Sequence, residues 1–356
     1  MGIGISLHRA VAPHRWVAIP TCAEHDMIYG SPPYHAFLQE VTGTASPWVL
    51  QAEHHGHVIA TLRFYTLEWN GYHILNSNPY FGSHGGSVVS ADISGSHYHQ
   101  TQRALGAAFG DFVDIHGIDA VNLVEYPWQP ASEFAQAAKL QHWDRRIGQI
   151  STLPAWQGRA QTSDLILKTC KQKTRNLVRK GLKQNFKISL ETSQDDWALL
   201  YEHHQISMSA IGGRAKQWSE FLAMQRHLEA AGATRLYIAR HEGDFAGALL
   251  VLTHKAWVEY FIPVSVEAFR SAQVLSALIH HAMLDASEKG QSFWNWGGTW
   301  QSQSGVHKFK SGWGSDDVPY TYWGRISERM QRLDVVGAGG PPDYFYVKPF
   351  GDTNAA

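Results

Sequence analysis

Cysteine is almost absent from this chain of 356 residues, which contains only Cys22 and Cys170. The two lie far apart and form no Cys-x-x-Cys pair, so the sequence offers no thiolate metal cluster and suits a reducing compartment. Histidine is abundant, but its 21 copies are spread along the whole chain. Because no compact set has the spacing of metal ligands, we expect neither a metal nor a cofactor.

An excess of charge and a long apolar run are also lacking. The chain has 30 lysines and arginines against 31 aspartates and glutamates, so any polyanionic ligand must meet a local basic patch. No run of about 18 apolar residues could span a bilayer, and His8, Arg9 and His14 interrupt the N-terminal apolar segment too early for a signal peptide. We expect a cytoplasmic protein, whose 14 tryptophans leave room for peripheral membrane contact.

Several motifs of well-known protein classes are missing. The chain has no Gly-x-Ser-x-Gly elbow and no Walker A loop, which argues against a serine hydrolase and an NTPase. It has no zinc-finger, basic-zipper or homeodomain pattern, so DNA is not an expected partner. Its length exceeds the roughly 250 to 300 residues that a single core serves, which predicts two domains.

An internal duplication supports two domains. Residues 49–65 and 236–252 both read as an apolar strand, a glycine turn and a second apolar strand, with Gly56 and Gly243 at the same place. Each hairpin is followed by a third strand, a helix and a further strand, which predicts a mixed α/β fold repeated in tandem. We expect domains at residues 1–158 and 159–325, followed by an irregular tail at residues 326–356.

A basic segment opens the second half. Residues 164–186 contain no proline and follow a capping residue at Ser163 or Asp164, which predicts one helix. Its cationic positions gather on the face opposite an apolar stripe, at Lys168, Lys171, Arg175, Arg179 and Lys183. This face is either a phosphate-binding surface or an ordinary solvated helix face.

The segment at residues 293–314 places cations beside aromatic rings. Gly297 and Gly298 permit positive φ and a close approach of a ligand to the backbone, and a short loop follows them. The side chains expected to bind there are Lys308, Phe309, Lys310 and Trp313. The alternative interpretation is a glycine-rich surface loop with incidental charge.

Taken together, these segments resemble the FemABX family, aminoacyl-tRNA-dependent transferases that add amino acids to peptidoglycan precursors and contain two domains of the GNAT acyltransferase fold. The resemblance rests on three motifs: Pro79, Tyr80, Phe81, Gly82, Gly85 and Gly86 in the first half; Arg175, Asn176, Arg179, Lys180 and Lys183 in the basic helix; and Trp296, Gly297, Gly298, Phe309 and Lys310 near the end. His84 stands in the sequence Ser-His-Gly-Gly, where the family more often has Tyr-Gly-Gly.

The resemblance implies roles for these residues. Lys310 would stabilise the oxyanion formed when an amine attacks an activated carbonyl, and Glu259 would be the general base, unless it is a surface glutamate at a strand edge. The expected donor-binding residues are Trp296, Gly297, Gly298, Lys308, Phe309, Trp313 and Arg270, with the aromatic rings stacking on a terminal adenine. Phosphate or acceptor binding is expected of Arg175, Arg179, Lys183, Tyr80, Phe81, Gly85 and Gly86.

The predicted function is therefore transfer of an aminoacyl group from aminoacyl-tRNA, or of an acyl group, to an amine of a cell-envelope precursor or a small metabolite. Two alternatives stay open: an N-acyltransferase of a polysaccharide pathway that uses acyl-CoA or acyl-carrier protein, and a GNAT-fold protein that binds without catalysis. The turn at residues 269–278, where Arg270 could meet a phosphate, contains no glycine to let a pyrophosphate approach the backbone, which disfavours acyl-CoA.

Overall fold

A computed structural model describes residues 2–10, 21, 25–80, 83–129, 131–191, 193–299, 303–332 and 345, and only the backbone of residues 142, 143 and 191. The chain divides into two compact units. Unit 1 contains residues 1–146 and 319–356, and unit 2 contains residues 147–318.

The strands and helices of the first half include the predicted hairpin, third strand, helix and further strand, in that order. They are β1 (Gly4–Arg9), a 3₁₀ helix (Ile28–Gly30), α1 (Pro32–Val41), β2 (Ser46–His54), β3 (His57–Trp69), β4 (Tyr72–Asn76), β5 (Val88–Val89), α2 (Gly95–Ile115), β6 (Ala120–Val124), α3 (Ser132–Ala137) and β7 (Gln141–Thr152).

The second half repeats the plan with additional helices before the hairpin. Its elements are α4 (Arg159–Thr169), α5 (Gln172–Leu182), β8 (Lys187–Glu191), α6 (Gln194–Ala210), α7 (Trp218–Met224), a π-helical turn (Gln225–Glu229), β9 (Thr234–His241), β10 (Asp244–His254), β11 (Trp257–Ser265), α8 (Glu267–Arg270), α9 (Val274–Glu288), β12 (Phe293–Thr299), α10 (Ser304–Ser311), β13 (Asp316–Ile326) and α11 (Glu328–Gln331).

The duplicated hairpins adopt the predicted geometry. β2 pairs antiparallel with β3, and β9 with β10, and the glycines at the two turns have positive φ, +78° at Gly56 and +99° at Gly243. The strand after each hairpin, β4 or β11, then pairs in parallel with the strand that follows the long helix, β6 or β12. The predicted mixed α/β fold is therefore confirmed.

Each unit has a core between its sheet and one long helix. In unit 1, Leu105, Phe109 and Phe112 of α2 pack on the sheet, and the rings of Phe64 and Phe112 lie 4.9 Å apart. In unit 2, α9 packs on β9 and β10 in the same way through Leu278 and Ile279. Burying these side chains is the main source of stability, at roughly 1.5 to 3 kcal/mol for each fully buried residue.

The strands at the ends of the two halves complete the sheets. In unit 1, β13 pairs with β6 from Tyr322 opposite Val124 to Ile326 opposite Ala120. In unit 2, β7 pairs with β12 from Thr152 opposite Phe293 to Ile147 opposite Thr299. The units therefore divide near Arg146 and Val318, whereas the sequence indicated boundaries at 158 and 325, because the partner strand of each closing strand is far away in sequence.

Three local expectations differ from the structure. The segment at residues 164–186 forms two helices, α4 and α5, because Cys170 and Lys171 have ψ near 141° and 150°, outside the helical region. Helix α4 begins at Arg159, with Gly158 as its capping residue, and so neither Ser163 nor Asp164 caps it.

The region carrying Lys308 and Lys310 is helix α10 and not a loop. Most of the predicted tail lies outside the described residues.

Candidate functional site in unit 2

The candidate site begins where the parallel strands β11 and β12 stop pairing. Their ladder runs from Trp257 opposite Phe293 to Glu259 opposite Asn295, and both strands continue beyond it without pairing with each other. At this point the Asn295 Nδ2 donates a hydrogen bond of 2.7 Å to Glu259 Oε2. Glu259 is 2% exposed, so the expectation of a surface glutamate is wrong and its carboxylate lies in the interior of the unit.

The paired glycines form a bulge in β12 next to this contact. The register with β7 shifts between Asn295 and Gly298, and Gly297 has a φ of +72°, a conformation that side chains disfavour. The Gly297 N–H donates to Asn295 Oδ1 over 2.9 Å. Asn295 thus connects the Glu259 carboxylate with the glycine bulge, a role that the sequence analysis missed.

Lys310 lies on the other side of the bulge. Its Nζ donates to Gly297 O at 3.0 Å, Gly298 O at 3.1 Å and Thr299 Oγ1 at 2.8 Å, and the residue is only 6% exposed. These three acceptors match the three N–H groups of an ammonium ion. Burial lowers the pKa of Lys310 from 10.5 to about 8, so the side chain is still largely protonated at neutral pH.

A buried glutamine on β7 extends the network. The Gln149 Oε1 accepts from Thr299 Oγ1 over 3.1 Å, and its Nε2 donates to Ser311 Oγ over 3.0 Å. A continuous series of hydrogen bonds therefore runs from Glu259 through Asn295, the glycine bulge and Lys310 to Gln149. Polar residues within otherwise apolar strands, such as Asn295 in the sequence Trp-Asn-Trp, were the signal that could have identified it.

The aromatic residues around the bulge are mainly core residues. Trp296 and Trp313 are each 2% exposed, their rings lie 5.8 Å apart, and the Trp296 Nε1 donates to Ser151 Oγ. In this conformation they present no free face to a base, contrary to the expectation of stacking platforms. Phe309 is 40% exposed and packs edge-to-face on Trp296, and Lys308 is also exposed.

The cationic residues of the basic helices fall into two groups. Arg175 donates to Leu167 O at 2.8 Å and to Cys170 O at 2.9 Å, so it caps the C-terminal end of α4 and does not extend into solvent. Arg179 and Lys183 are exposed, as expected for phosphate contact. The junction of α4 and α5 contacts the end of α10, because the Lys171 N–H donates to Gly312 O over 2.8 Å.

The N-terminal end of α9 is covered. A Cβ placed on Gly181 of α5 would come within 2.6 Å of Gln273 O, so α5 crosses directly over this end. Val274 is fully buried, and Gln273 reaches a φ of +65° without being glycine. Arg270, at the end of α8, is exposed. A phosphate would find few accessible amides here, although helix N-terminal ends commonly bind anions.

The predicted acceptor motif lies in unit 1. Gly85 is tightly packed, since a Cβ there would lie 2.5 Å from Ser77 Oγ, and Gly86 packs on Tyr126. Tyr80 is buried with a φ of +111°, an unusual conformation for a residue with a side chain. Gly85 and Gly86 border a cavity of about 10 Å³ beside Arg63, whereas Phe81 and Gly82 lie outside the described residues.

Two further observations concern metals and membranes. Within the part of the chain that the structure describes, no group of three or more histidine, cysteine, aspartate or glutamate residues could hold a metal ion. Over the same residues, none of the helices has the length and apolar character needed to cross a bilayer.

Comparisons with known proteins agree with this architecture. Residues 168–311 match the model of the acetyltransferase (GNAT) domain family. The crystal structure of FemX is similar over 89% of this chain and 96% of its own, with a TM-score of 0.67 at 12% identity. A tandem GNAT protein from the clavulanic acid biosynthesis pathway is similar over 91% of this chain and 98% of its own, with a TM-score of 0.55 at 13% identity. No curated protein matches the sequence.

These findings confirm the predicted fold of two GNAT-like domains in tandem and support the prediction of an acyltransferase. The matched segment contains Arg175, Glu259, Trp296 and Lys310. At such low identity, the structural similarities show the fold alone. The donor and the acceptor must be inferred from this chain's own residues.

Proposed function

We propose that this protein transfers an aminoacyl group from aminoacyl-tRNA to an amine of a cell-envelope precursor or a small metabolite. The observation that carries the proposal is the series of hydrogen bonds from Glu259 through Asn295 and Gly297 to Lys310. These hydrogen bonds hold the Glu259 carboxylate and the buried Lys310 ammonium group on either side of the point where β11 and β12 separate.

In the proposed reaction, the acceptor amine gives a proton to the Glu259 carboxylate and its nitrogen attacks the carbonyl carbon of the donor ester. A C–N bond forms, and the carbonyl oxygen becomes an oxyanion. The C–O bond to the terminal ribose then breaks, and the ribose oxygen takes the proton held by Glu259. Proton transfer by a placed carboxylate contributes typically 10² to 10⁴ in rate.

In this proposal, Lys310 does not donate a hydrogen bond to the oxyanion directly. Its N–H groups are already directed at Gly297 O, Gly298 O and Thr299 Oγ1, so we assign it as a positioning residue. It holds the glycine bulge in shape and adds a positive charge beneath it. A fixed charge in a water-poor site stabilises developing negative charge more strongly than it would in water.

The donor assignment rests on α5 and α9. The turn before α9 lacks glycine, and α5 crosses over the helix end through Gly181, so a CoA pyrophosphate has poor access to the amides there. The exposed Arg179 and Lys183 of α5 instead offer point charges to a nucleic acid backbone. Phe309, 40% exposed next to the bulge, is the ring that a terminal base could stack upon.

The acceptor assignment rests on the resemblance to FemABX transferases, which also implies phosphate or acceptor binding by the motif of unit 1. Gly85 and Gly86 border a cavity of about 10 Å³, room for about one water molecule, and Tyr80 holds a strained backbone conformation. Such strain persists where the surroundings impose it and is common at binding sites. The proposed acceptor is therefore the one that the resemblance implies, an amine of a cell-envelope precursor or of a small metabolite.

A transfer assay with radiolabelled donors tests the proposal. Purified protein receives aminoacyl-tRNA, acyl-CoA or acyl-carrier protein in parallel, with a pool of amine acceptors that includes envelope precursors. We expect transfer from aminoacyl-tRNA, a loss of about 10² or more with Glu259→Gln, and a loss of about tenfold or more with Lys310→Met. Lys289→Met removes an exposed lysine at the C-terminal cap of α9 and should keep full activity.

Other outcomes decide between the alternatives. Transfer from acyl-CoA or acyl-carrier protein alone would reassign the donor while keeping the acyltransferase. Full activity of Glu259→Gln would exclude this carboxylate as the base. Binding of all three donors without any transfer would favour a GNAT-fold binding protein.

A further inference from the structure

Unit 2 contains an open cavity that lies apart from the Glu259 and Lys310 network. It has a volume of about 610 Å³ and is lined by residues of α4, the end of α5, β8 and α9. None of its lining residues belongs to the network described above. Its size falls within the usual range of roughly 300 to 1,000 Å³ for small-molecule sites.

One end of this cavity is polar and cationic. Arg159 is exposed at the start of α4, and within the described parts of the chain no acidic side chain forms an ion pair with it. The Ser163 hydroxyl and His280 Nε2 lie 3.0 Å apart in the wall. Burial lowers the pKa of His280 to about 4, so this pair is uncharged at neutral pH, and Arg159 is the source of positive charge.

The remaining wall is apolar. Leu182, Phe186, Ile188 and Leu284 line it, and none of the residues that line the cavity is acidic. Leu182 is 47% exposed, which leaves a large apolar side chain facing open space at the end of α5. A hydrocarbon chain in contact with these side chains would remove apolar surface from water, which is favourable at about 25 cal/mol per Å².

We propose that this cavity binds a small amphiphilic carboxylate, with the carboxylate on Arg159 beside the Ser163 hydroxyl and the hydrocarbon chain along Leu182, Phe186, Ile188 and Leu284. The planar guanidinium offers paired N–H groups that match the two oxygens of one carboxylate. An anionic head group alone would leave the apolar wall uncovered, and a neutral chain would leave Arg159 without a counter-charge. The inference stands independently of the acyl transfer proposed above.

Calorimetric titration of the full-length protein tests the inference with three probes, all below the concentrations at which they form micelles. Octanoate carries both the charge and the chain, octan-1-ol only the chain, and acetate only the charge. We expect saturable binding of octanoate, binding of octanol that is about tenfold weaker, and no measurable binding of acetate. A tenfold difference corresponds to about 1.4 kcal/mol.

Three variants locate the binding. Arg159→Gln should weaken octanoate binding about tenfold and leave octanol binding unchanged. Leu182→Glu places a carboxylate in the wall and should abolish octanoate binding. Lys168→Gln removes an exposed cation in the last turn of the same helix α4 and should bind octanoate like the wild type.

The inference is overturned if octanoate does not bind, or if octanoate and octanol bind equally. Unchanged octanoate affinity in Arg159→Gln also overturns it. Should that variant fail to fold in a thermal melt, the Leu182→Glu protein decides: full octanoate binding by it would exclude this cavity as the site.

Discussion

At the scale of single residues, the candidate site depends on polar groups that the interior of unit 2 keeps paired. Glu259, Asn295, Gln149 and Lys310 are all buried, and hydrogen bonds connect them through the backbone of Gly297 and the hydroxyl of Thr299. An unpaired polar group in such surroundings costs roughly 1 to 3 kcal/mol, so each member of the network depends on the others. Residues that are far apart in the sequence therefore form one hydrogen-bonded network.

The lowered pKa of Lys310 predicts how stability changes with pH. Its pKa is about 8 when folded and near 10.5 when unfolded, so between these values the unfolded chain binds more protons. The contribution of this lysine to the free energy of unfolding therefore rises with pH in the window between these two pKa values, by up to about 3 kcal/mol. At pH values below both, the contribution does not change with pH. Urea unfolding of the wild type and Lys310→Met at both ends of the window measures the difference.

Lys289→Met is the matched control, since this lysine is 44% exposed. The difference in unfolding free energy between wild type and Lys310→Met should grow as pH rises, whereas the difference for Lys289→Met should stay nearly constant. A Lys310→Met difference that does not change with pH would contradict a lowered pKa in the folded protein.

At the scale of elements, the break between α4 and α5 separates two kinds of arginine. A cationic stripe along one helix predicts a single binding face, but the break turns Arg175 back onto the carbonyl groups of Leu167 and Cys170. Helix ends leave carbonyl groups without partners, and a cationic side chain that caps them stabilises the end. Arg179, one turn further on, remains exposed.

Substituting the two arginines separates these roles. Arg175→Gln should lower the free energy of unfolding by about 1 to 2 kcal/mol, because it removes charge-assisted hydrogen bonds to backbone carbonyls. Arg179→Gln should leave stability unchanged and weaken tRNA binding severalfold, with a shallower salt dependence. Urea unfolding and filter binding at two salt concentrations measure the two effects. Equal effects of both variants on stability would contradict the capping role of Arg175.

At the scale of the whole molecule, each compact unit takes a strand from a distant part of the chain. In unit 2, the part of β7 from Ile147 to Thr152 pairs with β12. The side chains of Gln149 and Ser151 on this strand also form hydrogen bonds with side chains of that unit. In unit 1, the Thr321 N–H and the Trp323 Nε1 donate to the buried Glu125 carboxylate from β13. The compact units are thus not continuous stretches of sequence.

This arrangement predicts which fragments fold. A fragment of residues 147–318 keeps residues 147–152, the part of β7 that pairs with β12, and should unfold cooperatively in urea. A fragment of residues 159–325 lacks this part and should not. Without β7, the strand β12 loses its backbone partner and Trp296, Thr299 and Ser311 lose buried hydrogen bonds. Circular dichroism during urea unfolding provides the measurement, and cooperative unfolding of both fragments with equal free energy would contradict the prediction.

Local sequence patterns were sufficient for much of the fold. The apolar strands on either side of the turn glycines Gly56 and Gly243 predicted the two hairpins, and the repeated order of elements predicted a helix in each half, α2 and α9. These features depend on interactions between residues close in sequence, which propensity and spacing report directly. The motif containing Lys310 was found for the same reason, although its helix and its burial were not.

Only the tertiary structure decided what the site residues contact. Trp296 and Trp313 became core residues, Arg175 became a helix cap, and Asn295 became the connection between Glu259 and the glycine bulge. The burial of Trp296 and the contact of Asn295 with Glu259 depend on partners many residues away, and the Arg175 cap depends on the break between α4 and α5. A sequence pattern contains no information on which distant strand or helix will cover a side chain. Composition and periodicity determined the elements, whereas burial and long-range hydrogen bonds decided which residues are available for chemistry.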